Sequence, residues 1–394
     1  MRMLLAPDKF KGCLTAAQVA RAMAAGVRRA DPSFEIDECP MADGGEGTVD
    51  ALVAATGGTV VTRTVTGPLP RMKVEAPIGM LGSTGLTAGG STGLTAGGDG
   101  LTAVIEMASA SGLHLLKPDQ LDPTRTTTYG TGELLREASR LGARRIILGI
   151  GGSATIDGGI GAAQAWGCTF TLDSGATYRE GGRRLTGGDL PHLRAVVSQL
   201  PLETQGMEIT VACDVGNPLV GPDGAAAVFG AQKGATPEQV TLLEHGLEHL
   251  AHKTHRTDLM QHPGAGAAGG LGFGMMTFFG ASLRPGIEMV IESLRLRERI
   301  DRADLVITGE GKFDAQSLSG KTTIGVARAC RDQGTPCVCI AGVVDEVPAA
   351  PAEGMVAAFS ICDRPMALDD ALRDAEQLIA RQTGQVVRMW SDRR

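Results

Sequence analysis

Aromatic side chains make up only 3% of this sequence, which leaves few stacking platforms for bases or sugar rings. Long runs of one charge are also missing. With 37 Lys and Arg against 44 Asp and Glu, the formal net charge of −7 is spread along the chain, and that balance argues against nucleic acid or an anionic membrane as a partner. No apolar stretch approaches the roughly 20 residues of a membrane span, and the apolar run in the opening MRMLLAPDKFKG is too short for the core of a signal peptide. The eight cysteines form no C-x-x-C pair. Several stand in apolar, strand-like runs such as PCVCIAG, so they are expected as reduced, buried thiols of a cytoplasmic protein. A small-molecule ligand is what these absences leave.

Glycine, by contrast, is abundant at 56 residues, which suits loops that bind anions through backbone N–H groups. A chain of 394 residues with 43% hydrophobic side chains suggests two domains with real cores. Apolar runs alternate with helical patterns near the start (strand Met3–Ala6, helix Ala16–Arg29, strand Ile36–Cys39, helix Glu46–Ala55). The alternation returns near the end (strand Leu305–Thr308, helix Thr322–Gln333, strand Val338–Ala341, helix Leu368–Gln382). Such alternation predicts an α/β fold with parallel sheets. In the middle, TGPLPRMKVEAPIGML and LTAVIEMA read as hairpin strands flanking a tandem repeat, STGLTAGG at Ser83–Gly90 and Ser91–Gly98. A unit so short is an expanded loop rather than a solenoid, and it carries no predicted chemistry.

Three glycine-rich segments bear on function. SLSGKTTIGVA, Ser317–Ala327, holds a Gly-Lys-Thr triplet, but a P-loop needs a glycine five positions before Gly320, where Ala315 stands. In RRIILGIGGSATIDGG a strand-like Ile146–Ile150 runs into glycines before a helix at Ile160–Trp166. Gly149-x-Gly151-x-x-Ala154 meets the relaxed dinucleotide fingerprint, with Asp173 near the place of a ribose-binding carboxylate. That pattern suits a nicotinamide dehydrogenase. The hydroxyls of Ser153 and Thr155 and the carboxylate of Asp157 suit a nucleotide's phosphates with a metal nearby equally well, and a plain tight turn is the bland alternative. PGAGAAGGLGFG repeats the fingerprint without a preceding strand, so it reads as a helix start or a close-packed segment.

Carboxylates on loops after strands are the other candidates. MADGGEGTVDAL places Asp43 and Glu46 in a glycine turn before a helix, where they serve either chemistry or an ordinary helix N-terminus. ITVACDVGNPLVG delivers Asp214 and Asn217 to a strand end, the side of an open α/β sheet that meets ligands. His245, His249, His252 and His255 recur at helical spacing, but H-E-x-x-H is absent and charged residues interleave, so a solvated helix face is expected.

Taken in order, APDKFKG (6–12), PMADGGEGT (40–48), TTTYGTGELL (126–135), GIGGSATIDGG (149–159), CDVGNPL (213–219), VFGAQKGA (228–235), GAGAAGGLGFG (264–274) and ADLVITGEGKFDAQSLSGK (303–321) resemble the bacterial type I glycerate kinase family. The resemblance runs from near the first residue to roughly Ala341. It implies transfer of a phosphoryl group from ATP to glycerate with Mg²⁺, on a Rossmann-like domain built from both chain ends (1–70 and 292–394) carrying a mixed α/β domain from the middle (71–291). The chain departs from the family at Ile156, usually Asn, at Ala231, usually Pro, at Ser317, usually Thr, and at Lys9 and Cys13, usually Ser.

On that resemblance, ATP phosphates lie on Gly151, Gly152, Ser153 and Thr155, and Lys321 helps hold an anion at a helix N-terminus. Asp157 or Asp214 takes the metal. Lys9, Lys11 and Lys233 meet the substrate carboxylate, with Asn217, Glu310 and Gln316 beside the substrate. Asp43 is the expected base, with Asp314 as the second choice and Lys11 as a cationic catalytic group. The acceptor hydroxyl, 2 or 3, is left open, as is assembly into a homo-oligomer. A nicotinamide dehydrogenase and a non-catalytic nucleotide-binding regulator are the alternatives in function.

Overall fold

A computed structural model describes residues 1–82, 101–197, 206–319, 322–345 and 350–391. Along the chain the strands are β1 (Arg2–Leu5), β2 (Glu35–Glu38), β3 (Thr59–Thr66), β4 (Lys73–Met80), β5 (Leu101–Glu106), β6 (Ala143–Gly149), β7 (Thr169–Leu172), β8 (Thr177–Tyr178), β9 (Leu193–Val197), β10 (Glu208–Ala212), β11 (Ser282–Arg284), β12 (Leu305–Phe313), β13 (Cys337–Val344) and β14 (Met355–Ser360). The chain divides into two compact units, Met1–Asp43 with Asp50–Gly57 and Ile287–Arg394, and Gly44–Val49 with Gly58–Gly286.

The first unit holds a five-stranded sheet in the order β14-β13-β12-β1-β2, with every pair parallel. Its inner strands read as continuous apolar runs because helices cover both faces, and Met3, Leu4, Leu5, Leu305, Val306 and Ile307 are fully buried. The helix Ala16–Ala30 starts at Thr15, whose side chain accepts from the Gln18 N–H while Gln18 returns the bond to the Thr15 N–H. That reciprocal cap satisfies two of the orphan donors of the first turn. The same helix packs tightly on the final one, Ala375–Ser391. A Cβ on Gly26 would lie 2.2 Å from the Ala380 carbonyl oxygen, so only glycine allows that approach.

The second unit holds a six-stranded sheet in the order β11-β10-β6-β5-β4-β3. Its strands β11, β10, β6 and β5 run parallel, while β4 and β3 complete it antiparallel. A separate antiparallel sheet has the order β8-β7-β9. One apolar core lies about the six-stranded sheet, around residues such as Ile105, Leu148 and Trp166, and a second gathers Ile156, Phe170, Leu247 and Phe273.

Several expectations shift. The expected boundary at residue 70 falls instead at Gly57, because β3 pairs along its whole length with β4, from Thr59 opposite Met80 to Thr66 opposite Lys73. The later boundary lies at Gly286 rather than 291. The strand expected to stop at Thr308 continues to Phe313, since β13 runs alongside it to Val344, and a short 3₁₀ turn, Ala315–Ser319, follows it. The expected helix Leu368–Gln382 is two, Leu368–Arg373 and Ala375–Ser391. The STGLTAGG repeat lies outside the described residues, but β4 and β5 on either side of it pair antiparallel as hairpin arms, Gly79 opposite Val104 and Met80 opposite Ala103.

Candidate active site

The glycine loop Ile150–Gly159 leaves the carboxyl end of β6. Gly149 has to be glycine, since a Cβ there would lie 2.1 Å from the Gly44 carbonyl oxygen. Gly151 and Gly152 stand exposed at the turn, and Gly152 takes a left-handed φ of 73°. From Ser153 onward the loop dives into the protein, and Ser153, Thr155 and Asp157 are all buried. Its edge is tied down by Leu113 N–H donating to the Gly152 carbonyl at 2.8 Å and Ala154 N–H donating to that of Ser111 at 2.9 Å.

Asp157 is fully buried. Its Oδ2 accepts from the Thr128 N–H at 2.7 Å, the Thr128 hydroxyl at 2.8 Å and the Gly161 N–H at 3.3 Å, and its Oδ1 accepts from the Gly159 N–H at 3.0 Å. Burial pushes its proton affinity up, and those donors oppose the shift. A carboxylate so enclosed and so fully engaged anchors the loop. The threonine run before the helix Tyr129–Arg140 supplies the anchoring groups. Thr128 holds Asp157, and the Thr126 hydroxyl donates to the Ala154 carbonyl at 3.0 Å. These threonines were not singled out as site residues. Three hydroxyls in succession just ahead of a helix were the available signal.

Lys233 was expected at the substrate carboxylate, yet it is only 2% exposed. Its ammonium donates inward, to Ser153 Oγ at 2.7 Å and to the Thr155 carbonyl at 2.8 Å. Burial pulls its proton affinity down to about 7, against the opposing pull of the Asp157 charge. Of the four residues expected on ATP phosphates, Ser153 is thus engaged by Lys233 and Thr155 is fully enclosed, which leaves Gly151 and Gly152 facing outward.

The second glycine segment, Gly264–Gly274, is the close-packed one. Ala268, Gly269 and Gly270 take left-handed conformations, and the Gly269 carbonyl accepts from the Gly158 N–H at 3.1 Å. A Cβ on Gly269 would lie 1.9 Å from the Thr155 carbonyl oxygen, and one on Gly274 would lie 2.5 Å from that of Gly158. One glycine segment therefore backs the other. Ile156, where the family usually has Asn, is fully buried in the second apolar core of this unit, so an apolar side chain fits the site.

The dinucleotide reading fails on topology. Its fingerprint needs a strand, helix and next parallel strand, but β7, which follows the helix Ile160–Ala165, pairs antiparallel with β8 and β9. The parallel neighbours of β6 are β5, which precedes it, and β10. Past β10, Asp214 is exposed and its Oδ1 accepts from the Gly286 N–H at 2.8 Å. Asn217 donates from Nδ2 to the Asp223 carbonyl at 2.8 Å, and its backbone carbonyl accepts from the Gly266 N–H at 3.0 Å, so its side-chain amide braces its own loop.

In the first unit, Asp8 stands just beyond β1. Here the strand order reverses: β1 leads through a helix to β2 on one side, and β12 leads through a helix to β13 on the other. Such switch points are where open α/β sheets bind ligands. The Asp8 N–H donates to the Gly309 carbonyl at 2.8 Å. Its Oδ2 accepts from the Thr322 hydroxyl at 2.8 Å and its Oδ1 from the Lys9 N–H at 2.7 Å. Burial, and then the charge of Asp43, push its proton affinity up to about 6, against the bond from Thr322. Sequence reasoning passed over Asp8 in favour of the lysines beside it, although it is the carboxylate nearest the end of β1.

Of the other candidates in this unit, Lys9 and Asp43 are half-buried and Lys11 is exposed. Glu310 lies within β12, half-buried. Asp314 follows that strand and pairs through Oδ2 with Lys312 at 3.0 Å. Lys321 lies outside the described residues, and Gln316 is placed by its backbone alone, in the turn Ala315–Ser319. Among the described residues, no three His, Cys, Asp or Glu side chains gather as a metal site. In the helix Pro237–Lys253, His245 and His252 are exposed, and His249 Nε2 is bonded to the Leu193 carbonyl. All eight cysteines are free thiols; Cys13 and Cys213 are half-buried and Cys362 is exposed, so not all are the core thiols expected.

Comparison with known proteins adds a second line of evidence. The model of the glycerate kinase family matches residues 3–391. The chain is 43% identical over 386 residues to the glycerate kinase of Bacillus subtilis (strain 168), covering 97% of this chain and 95% of that protein. It is also 43% identical over 386 residues to the glycerate 2-kinase of Escherichia coli (strain K12), covering 97% and 96%. A crystal structure of a protein assigned as glycerate kinase 2 from Salmonella typhimurium LT2 superposes with a TM-score of 0.86 at 40% identity, covering 100% of this chain and 98% of that one.

Proposed function

Because the chain belongs to the glycerate kinase family, and is therefore an enzyme of that class, we propose that it transfers the γ-phosphoryl group of ATP to a hydroxyl of D-glycerate with Mg²⁺. The observation that carries the nucleotide part is the exposed Gly151–Gly152 turn at the carboxyl end of β6, held from beneath by buried groups. Backbone N–H groups in such a turn suit phosphate oxygens. Mg²⁺, which takes one or two carboxylates and otherwise phosphate and water oxygens, would neutralise charge on the transferring phosphates. Asp214, exposed beyond β10, is a donor of the type it requires.

In the reaction the glycerate hydroxyl oxygen forms a bond to the γ-phosphorus, the bond from that phosphorus to the β,γ-bridging oxygen breaks, and ADP leaves with its electron pair. The hydroxyl proton passes to a carboxylate, a role we give to Asp43. Asp314 suits it less, because Lys312 holds its carboxylate as an ion pair. Lys9 and Lys11 follow the switch point and supply positive charge for the substrate carboxylate. The name of the Escherichia coli relative supports the 2-hydroxyl as acceptor. The all-parallel sheet supports reading the unit of both chain ends as Rossmann-like, and free thiols suit a cytoplasmic setting.

The test is ADP release from ATP with D-glycerate and Mg²⁺, with the product identified by phosphorus NMR. We expect 2-phosphoglycerate. ADP release without a phosphoglycerate would remove glycerate as the substrate, and the absence of turnover alongside tight ATP binding would favour a regulator.

A further inference from the structure

Lys233 is costly where it stands. Among the described residues no carboxylate forms an ion pair with its ammonium, so burial costs it hydration without that return and pulls its proton affinity down to about 7, against the charge of Asp157. A methionine of similar length would fill the same space without that cost. The backbone beneath it is equally constrained: Gly234, immediately after, has a φ of 87°, and a Cβ there would lie 2.4 Å from the Leu121 carbonyl oxygen. What the ammonium gains is two bonds to the glycine loop, to Ser153 Oγ and the Thr155 carbonyl, both of them polar groups that burial would otherwise leave short of a donor. Those bonds fall just after Gly152, where the loop turns from the surface into the core.

We propose that Lys233 is a positioning residue for the nucleotide: it latches the loop from inside, so that Gly151 and Gly152 stay turned outward, and it never touches the ligand itself. The proposal rests on reading this loop as the phosphate cradle. It separates Lys233 from the general stability of the unit, because the latch acts on the loop that meets one substrate and not the other.

The experiment uses the whole enzyme and three variants. Lys233→Met removes both bonds, Ser153→Ala removes one, and Gly151→Val places a side chain on the exposed turn, where its Cβ finds only ordinary contact, 3.6 Å from Gly45. We expect the KM for ATP to rise tenfold or more in Lys233→Met and several-fold in Ser153→Ala, while the KM for glycerate stays within twofold. Should Lys233→Met fail to fold, Ser153→Ala carries the test alone. If Gly151→Val raises the KM for ATP and the folded latch variants do not, the latch is refuted and the cradle stands. If Gly151→Val also leaves the KM for ATP unchanged, the cradle reading itself falls, and the latch with it.

Discussion

At the scale of single residues, two carboxylates of the first unit make separable predictions. Asp43 is given the substrate proton, so Asp43→Asn, which keeps size but loses the acceptor, should lower kcat by about 10²–10⁴-fold with little change in KM. Asp314→Asn should cost far less, since that carboxylate is already paired with Lys312. Steady-state kinetics on the two variants decides the assignment, and the reverse order of losses would move the base to Asp314. Asp8 predicts a pH effect on stability. Its folded proton affinity, about 6, lies above the ordinary aspartate value of 3.8, so the unfolded chain ionises more readily. The stability this group contributes is therefore present below about pH 4 and lost as pH rises through 6. A shift of that size is worth up to about 3 kcal/mol. Asp8→Asn cannot ionise, so its melting temperature relative to the parent should be higher at pH 8 than at pH 5, while kinase activity falls. A melting difference that does not change with pH would show that Asp8 carries no such strain.

Among elements, the two glycine segments behave as one structure, and the second limits what the first can do. Gly269 combines a φ of 69° with a Cβ position 1.9 Å from the Thr155 carbonyl oxygen, the same oxygen that accepts from Lys233. Gly269→Ala should therefore destabilise the protein by roughly 1–3 kcal/mol through strain and overpacking. It should also raise the KM for ATP, because the displaced carbonyl belongs to the loop. Thermal melting and kinetics together check this, and a loss of stability with unaltered KM would mean the loop absorbs the shift. This coupling was only half legible beforehand. The close packing of PGAGAAGGLGFG followed from its glycines, but its partner lies more than a hundred residues earlier in the chain, and no local pattern announces such a pairing. Asp157 and Lys233 share that limit: residue type alone suggests ligands, and their burial is a property of the assembled fold.

For the whole molecule, alternation of apolar runs and helical patterns was enough to indicate parallel sheets, because buried parallel strands such as Leu305–Ile307 are apolar throughout. Where β3 belonged was not legible, since TVVTRTVT alternates like any half-exposed strand and its partner is chosen by pairing. The repeat that lengthens the chain between β4 and β5 gives the last prediction. Those two strands pair at Gly79–Val104 and Met80–Ala103, and β5 is held independently by its parallel pairing with β6, so strand register does not depend on the length of the segment joining them. Loop-closure entropy varies only with the logarithm of length, and removing one eight-residue unit should change stability by about 0.5 kcal/mol or less. Deleting Ser91–Gly98 should therefore leave both the unfolding midpoint and kcat/KM close to those of the parent. A large loss in denaturant unfolding would show that the unit is bound to the rest of the protein, and a selective loss of kcat/KM would show that it meets a substrate.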